Sequence, residues 1–180
     1  MRKIAAGLAI TLDGVVEAPS NWMLMDDEMG EVFRAGMARS DAILLGRLTY
    51  LEFAELWPNH RRDAVMANFM NNTPKHIVSS TLNQLNWANS SLLTGDLTEE
   101  ITMLKQQPGK NILIPGSPGL VRWLLRAGLL DELGLMVHPI VAGAGMRLFD
   151  EAPHQLRLEL TESRAFRTGV VFLSYRPAAS

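Results

Sequence analysis

The stretch AILLGRLTY, residues 42–50, leads from a short apolar run through a glycine turn into a segment with helical spacing. The stretch NILIPGSPG, residues 111–119, has the same order. A short apolar run bounded by turn residues is typical of a buried strand. A helix that begins where such a strand ends points unpaired backbone N–H groups and a partial positive charge at the sheet edge. Two such turns predict a ligand with several phosphates, such as a dinucleotide.

Composition and charge narrow the class of protein. The chain has 180 residues, of which 47% are hydrophobic and 20% charged, which predicts one folded domain over residues 1–180. The net charge of −2 disfavours a nucleic-acid binder, and no apolar run reaches the ~20 residues of a membrane span. The chain has no cysteine, so disulfides and thiolate metal sites are excluded, and we expect a cytoplasmic protein.

The remaining pattern predicts an α/β fold. Apolar runs predict strands at 4–11, 42–45, 76–79, 91–94 and 111–114. Segments with helical spacing lie between several of these strands, at 28–39, at 97–107 and after Ser117. This alternation predicts a mostly parallel central sheet flanked by helices. Ser117 is expected to be the N-cap of its helix. Further strands are predicted at 133–137, 157–161 and 170–175, the last two forming an antiparallel pair at the C-terminal edge of the sheet.

The first turn carries three residues suited to a phosphate. Gly46 lets the backbone approach a ligand closely, and Arg47 offers planar, permanently charged donors. Thr49 adds a hydroxyl in the first helical turn. The alternative is that Gly46 only turns the chain and that Arg47 pairs with a carboxylate such as Glu52.

The second turn and the end of the third strand are weaker signals. Residues 116–119, GSPG, lack the spacing of a Rossmann fingerprint or a Walker loop, which argues against both folds. A well-capped helix start also needs no ligand. Ser79 and Ser80 could donate to a ribose phosphate, but hydroxyl residues at strand ends often only satisfy the backbone of a turn.

Three carboxylates are candidates for proton transfer. Asp27 and Glu28 follow Trp22 and several apolar residues, and apolar surroundings raise the pKa of a carboxyl group toward neutral pH. The alternative is a solvated run that favours the helix dipole. Asp13 precedes Gly14 and is most simply part of a turn. The four histidines show no metal-ligand spacing and no Gly-x-Ser-x-Gly motif occurs, so we expect neither a metal site nor a serine hydrolase.

Taken in order, these pieces resemble the dihydrofolate-reductase-like superfamily, in particular the reductase domain of bacterial riboflavin biosynthesis (the RibD C-terminal domain) and its stand-alone relatives. The resemblance runs through IAAGLAITLDGVV at 4–16, LGRLTY at 45–50, VSS at 78–80, IPGS at 114–117, AGLLDEL at 127–133 and PIVAGAG at 139–145. It implies an NADPH-dependent reductase acting on a pteridine-, pyrimidine- or flavin-precursor-like small molecule, and a homodimer.

The resemblance also implies residue roles. Arg47 would hold the 2′-phosphate of NADPH, with Ser79 and Ser80 beside it, and Gly46 and Thr49 would line the pyrophosphate. The residues expected at the pyrophosphate, the nicotinamide ribose and the nicotinamide are Gly116, Ser117, Gly119, Leu120, Ala9 and Val16. The family commonly has two glycines where this chain has Gly116 followed by Ser117.

Three questions stay open at this point. The proton donor is Asp27, Glu28, Asp13 or an ordered water. The loop at 17–25 is either a lid over the nicotinamide or a fixed apolar cover. The alternative function is a non-catalytic, dimeric nucleotide-binding protein that retains the fold.

Overall fold

The computed structural model describes residues 1–149 and 155–178 of the chain. The eight strands in this part of the chain are β1 (Ile4–Thr11), β2 (Ser40–Gly46), β3 (Lys75–Val78), β4 (Ser90–Leu93), β5 (Asn111–Pro115), β6 (Glu132–His138), β7 (Leu158–Ala165) and β8 (Val171–Pro177). The α-helices are α1 (Asp27–Ala38), α2 (Arg47–Leu56), α3 (Ala64–Asn72), α4 (Leu97–Gln106) and α5 (Pro118–Arg126). Short 3₁₀ turns lie at Pro19–Asn21 and Trp57–Asn59.

The strands form one sheet in the order β4-β3-β2-β5-β1-β6-β8-β7. All neighbouring pairs from β4 to β6 are parallel, and the β6–β8 and β8–β7 pairs are antiparallel. The predicted fold class, a mostly parallel sheet with an antiparallel C-terminal edge, is therefore confirmed. Because β8 pairs with β6, the last strand in sequence lies inside the sheet and β7 forms the edge.

Helices cover both faces of the sheet. In β2 the run from Ala42 to Leu45 is buried on both faces, as expected for a central parallel strand. Ala42 and Leu44 belong to a core cluster that includes residues of α4 and α5, whereas Ile43 and Leu45 belong to one that includes residues of α2 and α3. A third cluster joins Met29 of α1 to Met136 of β6 and to the β7–β8 hairpin.

Helix α3 has no counterpart among the helices predicted from the sequence. Its N-cap Asp63 accepts a hydrogen bond from the backbone N–H of Met66. Beyond its C-terminus, the fully buried Lys75 Nζ donates to the carbonyl oxygens of Met70, Asn71 and Thr73. Burial lowers the pKa of Lys75 to about 8, so the ammonium remains mostly protonated at neutral pH and can stabilise the carbonyl end of α3.

The longest α-helix in the described part of the chain, α1, has 12 residues. Within residues 1–149 and 155–178, none of the helices combines the length and the apolar character of a membrane span.

Candidate active site

The two turns that open the sequence analysis lie side by side at one edge of the sheet. Strands β2 and β5 are parallel neighbours, so their last residues, Gly46 and Pro115, lie at the same edge of the sheet. Helix α2 begins at Arg47, directly after β2, and helix α5 begins at Pro118, after the two residues Gly116 and Ser117 that follow β5. Both helices therefore present their N-termini to this edge, where the unpaired N–H groups of a first helical turn attract anions.

Hydrogen bonds join the two turns directly. The backbone N–H of Gly46 donates to Ser117 Oγ over 3.0 Å, and the backbone N–H of Ser117 donates to Thr49 Oγ1 over 3.1 Å. The backbone N–H of Gly116 donates to the carbonyl oxygen of Gly7 in β1 over 2.9 Å. These bonds fix the distance between the starts of α2 and α5. They also engage three N–H groups that would otherwise be available to a ligand.

Ser117 occupies the N-cap position of α5, but its side chain does not cap the helix. Its backbone is left-handed, with φ 58° and ψ 58°, and its Oγ accepts from Gly46 instead of from the first turn of α5. Gly116 before it has φ 99°. A left-handed conformation costs a non-glycine residue about 1–2 kcal/mol, and here it turns the hydroxyl toward the neighbouring strand.

Arg47 is exposed and makes no ion pair with any residue in the described part of the chain. The proposed pairing with Glu52 is therefore not found.

In α5, Pro118 has no N–H, so Gly119 and Leu120 carry the first N–H groups of the helix. The N–H of the next residue, Val121, donates to the carbonyl oxygen of Ser117. A Cβ added to Gly119 would meet nothing within 4 Å.

The two serines after β3 differ in their environment. Ser79 Oγ accepts from the backbone N–H groups of Thr81 and Leu82, over 3.2 and 3.0 Å. This is the turn-satisfying arrangement that the sequence left as the alternative for Ser79. Ser80 is exposed. It follows β3, next to the end of β2, and so lies on the same sheet edge as Arg47.

Asp13 binds backbone N–H groups of the loop after β6. Its Oδ1 accepts from Thr11 Oγ1 and from the N–H of Ala142, and its Oδ2 accepts from the N–H of Gly143. These hydrogen bonds, that from Thr11 first, lower the pKa of Asp13 to about 2. The carboxyl group is ionised at neutral pH, which is unsuited to donating a proton.

Glu28 and Asp27, at the start of α1, have different surroundings. Glu28 Oε2 accepts from the backbone N–H of Arg167 over 2.9 Å, and its carboxylate lies 3.5 Å from Arg164 Nη2. Glu28 thus connects α1 to the β7–β8 hairpin. Asp27 is exposed, and its carboxylate makes no hydrogen bond or ion pair with the residues the structure describes. The preceding residue, Asp26, caps the helix through Met29 N–H.

The remaining predicted contacts lie on β1 and on the loop that follows it. Ala9 is half-buried and pairs with Met136 of β6. Val16 is buried, and its N–H donates to the carbonyl oxygen of Met146 over 2.9 Å. Glu17 accepts from the N–H of Met146. The start of the β1–α1 loop is therefore bound to the loop after β6.

His138 is a site residue that the sequence reasoning missed. It ends β6 opposite Thr11 of β1, is 0% exposed, and accepts a hydrogen bond at Nδ1 from the backbone N–H of Leu24 over 3.3 Å. The ring of Trp22 packs edge-on against it, with ring centroids 5.3 Å apart. One feature of the sequence pointed to His138: it comes at the end of a buried apolar run, and ligands of open α/β sheets bind at the edge where such strands end.

Comparison with known proteins identifies the family. Residues 2–172 match the family profile of the RibD C-terminal domain. The chain belongs to this family. It is 31% identical to the uncharacterized protein YyaP of Bacillus subtilis (strain 168) over 181 residues, which covers 97% of this chain and 94% of YyaP.

Solved structures show the same fold. A proposed riboflavin biosynthesis protein from Shewanella sp. PV-4 superposes with a TM-score of 0.80 at 22% identity, covering 99% of this chain and 100% of that protein. Dihydrofolate reductase from Enterococcus faecalis, solved with NADP(H) and RAB-propyl, gives a TM-score of 0.68 at 15% identity, covering 98% of this chain and 97% of that protein. Both proteins share the architecture described above, and together with the family match they confirm the resemblance predicted from the sequence.

Proposed function

We propose that this RibD-type domain is an NADPH-dependent reductase that transfers a hydride to a small pteridine-, pyrimidine- or flavin-precursor-like molecule. The observation that carries the proposal is the direct bonding of the turn at Gly46 to the turn at Ser117. It holds two helix N-termini next to each other, and Arg47, which makes no ion pair with the described residues, begins one of the two helices.

The residues at this edge fit a dinucleotide with a 2′-phosphate. Arg47 has no competing carboxylate among the described residues, so its guanidinium can bind the 2′-phosphate, with Ser80 beside it. The open side of Gly119 leaves space for the pyrophosphate and the adjoining ribose at the start of α5. Gly46, Thr49, Gly116, Ser117 and Leu120 shape this edge, whereas Ser79 mainly supports the turn that carries Ser80.

When bound, NADPH supplies the hydride. The protein has to orient the nicotinamide against the substrate and exclude water from both. We place the nicotinamide near Ala9 and Val16, because the family resemblance implies both contacts and because Ala9 lies on the same strand as the Gly7 carbonyl that binds the second turn. The segment from Glu17 to Met25, called here the covering segment, contacts the end of β6 through Trp22 and Leu24, which both lie against His138.

We assign the proton donor to Asp27, acting directly or through water. Asp13 is held ionised by its hydrogen bonds, and Glu28 is engaged by the β7–β8 hairpin. Asp27 is the remaining side chain of the predicted set. It is exposed and lies two residues before Met29, which packs in one cluster with Met136 of β6 and Met23 of the covering segment. A positioned acid of this kind contributes about 10²–10⁴-fold to the rate of proton transfer.

A titration of the purified protein tests the proposal. We expect saturable binding of NADPH, measured by calorimetry, with weaker binding of NADH. The same sample is then assayed for NADPH oxidation with dihydrofolate, 7,8-dihydrobiopterin and 5-amino-6-(5-phosphoribosylamino)uracil, the last being the reductase substrate named for a Thermotoga maritima enzyme of this fold.

Each result of the titration has a definite meaning. Turnover with any of these substrates supports the reductase. Tight NADPH binding without hydride transfer supports a nucleotide-binding protein that has lost turnover. Failure to bind either nicotinamide cofactor contradicts both functions.

We further propose that the protein acts as a homodimer in the cytoplasm, as the family resemblance implies. Sedimentation equilibrium across a range of protein concentrations tests the assembly, and a monomer at all concentrations contradicts it.

A further inference from the structure

His138 is buried at the carboxyl edge of the sheet, and among the described residues only one of its two ring nitrogens, Nδ1, has a hydrogen-bond partner. The strand register places it two residues beyond Met136, which pairs with Ala9, and directly opposite Thr11. Because side chains two residues apart in a strand share a face, His138 and Met136 lie on the same face, where Met136 packs against Met29 of α1. His138 therefore lies on the α1 face at the carboxyl end of the sheet.

The hydrogen bonding of the ring identifies its tautomer. Leu24 N–H donates to Nδ1, so Nδ1 carries no hydrogen, and burial lowers the pKa of His138, which keeps the ring neutral. The single ring hydrogen is then on Nε2. Nε2 is buried and has no hydrogen-bond partner among the residues that the structure describes. A buried donor without a partner is rare in native proteins and is often found at functional positions.

We propose that His138 binds the substrate, with its Nε2–H donating to a ring carbonyl oxygen of the pteridine or pyrimidine. This inference rests on the proposed reductase function and adds a specificity-determining residue to it. A neutral N–H donor suits a neutral carbonyl acceptor, and a substrate without that carbonyl would leave the buried donor unpaired and be discriminated against.

The covering segment decides when this donor is accessible. Trp22 and Leu24 both contact the His138 ring, and Trp22 is otherwise bound within its own loop through Glu17. Displacing the Trp22 ring uncovers the imidazole, while the Leu24 bond keeps the hydrogen on Nε2. Trp22 thus controls access to the ring, and Leu24 fixes the tautomer that recognises the substrate.

Substitution of His138 tests the assignment by separating substrate binding from cofactor binding. His138→Leu removes the donor, and His138→Asn supplies an amide oxygen for Leu24 N–H and an amide N–H for the substrate. His76→Leu is the matched control, since His76 is a partly buried strand histidine at the other side of the sheet. The probes are 7,8-dihydrobiopterin and 5-amino-6-(5-phosphoribosylamino)uracil, with KM measured at saturating NADPH.

We expect His138→Leu to raise KM for at least one probe by about 10- to 100-fold, with NADPH affinity unchanged and with partial recovery in His138→Asn. In the wild-type protein, long-range ¹H–¹⁵N NMR should show the hydrogen on Nε2, and this resonance should shift when a probe is added with NADP⁺. The NMR measurement does not depend on whether the variants fold.

Three results overturn the assignment. An unchanged KM in His138→Leu, or an Nε2 resonance that does not respond to either probe, removes the role of His138 and leaves the reductase in place. Equal losses of NADPH and substrate affinity show that the ring only supports packing. Absence of NADPH binding by the wild-type protein rejects the proposed function and this inference together.

Discussion

The backbone N–H of Gly46 donates to Ser117 Oγ over 3.0 Å, although 71 residues separate the two in the chain. This bond makes one rigid unit of the turns that follow β2 and β5. A binding site is effective when the groups that form it are held in place before the ligand arrives. In this chain a serine hydroxyl holds the two helix N-termini together at the proposed cofactor site.

Two substitutions of Ser117 should distinguish the contribution of its hydroxyl to stability from the cost of its left-handed backbone. Ser117→Ala leaves the Gly46 N–H unpaired and keeps the backbone strain, so we expect the free energy of unfolding to fall by about 1–3 kcal/mol. Ser117→Gly also loses the hydroxyl but relieves the strain at φ 58°, and it should be about 1 kcal/mol more stable than Ser117→Ala. Urea unfolding measures both.

The control for Ser117 is Ser20→Ala, at an exposed serine of the 3₁₀ turn before α1, which should leave stability unchanged. An alanine variant as stable as the glycine variant would show that the left-handed conformation is not a source of strain.

Arg47→Ala should weaken NADPH far more than NADH. The guanidinium loses charge-assisted hydrogen bonds to the 2′-phosphate worth about 1.5–3 kcal/mol, which corresponds to a roughly ten- to hundredfold rise in the dissociation constant of NADPH. Calorimetric titration with both cofactors measures the difference. Arg62→Ala removes the same charge from an exposed loop and should change neither affinity. Equal weakening of NADPH and NADH by Arg47→Ala would exclude Arg47 as the residue that binds the 2′-phosphate.

Asp27→Asn and Glu28→Gln form a matched pair of adjacent isosteric changes. Asp27→Asn removes the assigned proton donor and should lower kcat by about 10²-fold or more, with NADPH affinity and stability unchanged. Glu28→Gln weakens the contacts of α1 with Arg164 and Arg167, so it should lower the free energy of unfolding by up to about 1 kcal/mol and leave kcat largely intact.

If Glu28→Gln loses the activity and Asp27→Asn keeps it, the two roles are reversed.

Asp13 should stabilise the fold in a defined pH range. Its pKa is lowered from 3.8 to about 2 in the folded protein, so the unfolded chain binds a proton at this group more readily than the folded protein does. The resulting stabilisation is complete above pH 3.8 and is lost as the pH falls toward 2. The stability difference between the wild-type protein and Asp13→Asn should therefore shrink across that range. Denaturant unfolding at a series of pH values measures it, and a constant difference would contradict the role of the charge.

Sequence patterns predicted the regular elements well where the signal is local. Strand β1 has the predicted bounds of 4–11, and α4 ends within one residue of the prediction. Helix α3 was missed because its short sequence, AVMANFMNN, is rich in asparagine and its C-terminus is completed by Lys75, a cap that comes from the next strand. Glu28 was read as a free acid because its partner Arg167 lies 139 residues away in the chain.

By itself, the sequence determined the order of the strands and of the helices other than α3, the glycine turns at Gly46 and Gly116, and the family to which the chain belongs. These follow from short-range periodicity and, at Gly116, from a positive φ of 99° that few residues other than glycine adopt. Only the tertiary structure decided which polar groups bind each other and which are left for a ligand. Ser117 and Asp13 are engaged within the protein, whereas Arg47, Asp27 and His138 Nε2 keep unused hydrogen-bonding capacity among the described residues. The reason is physical: a hydrogen bond depends on the position of both groups in space, and here the partners come from segments far apart in the chain.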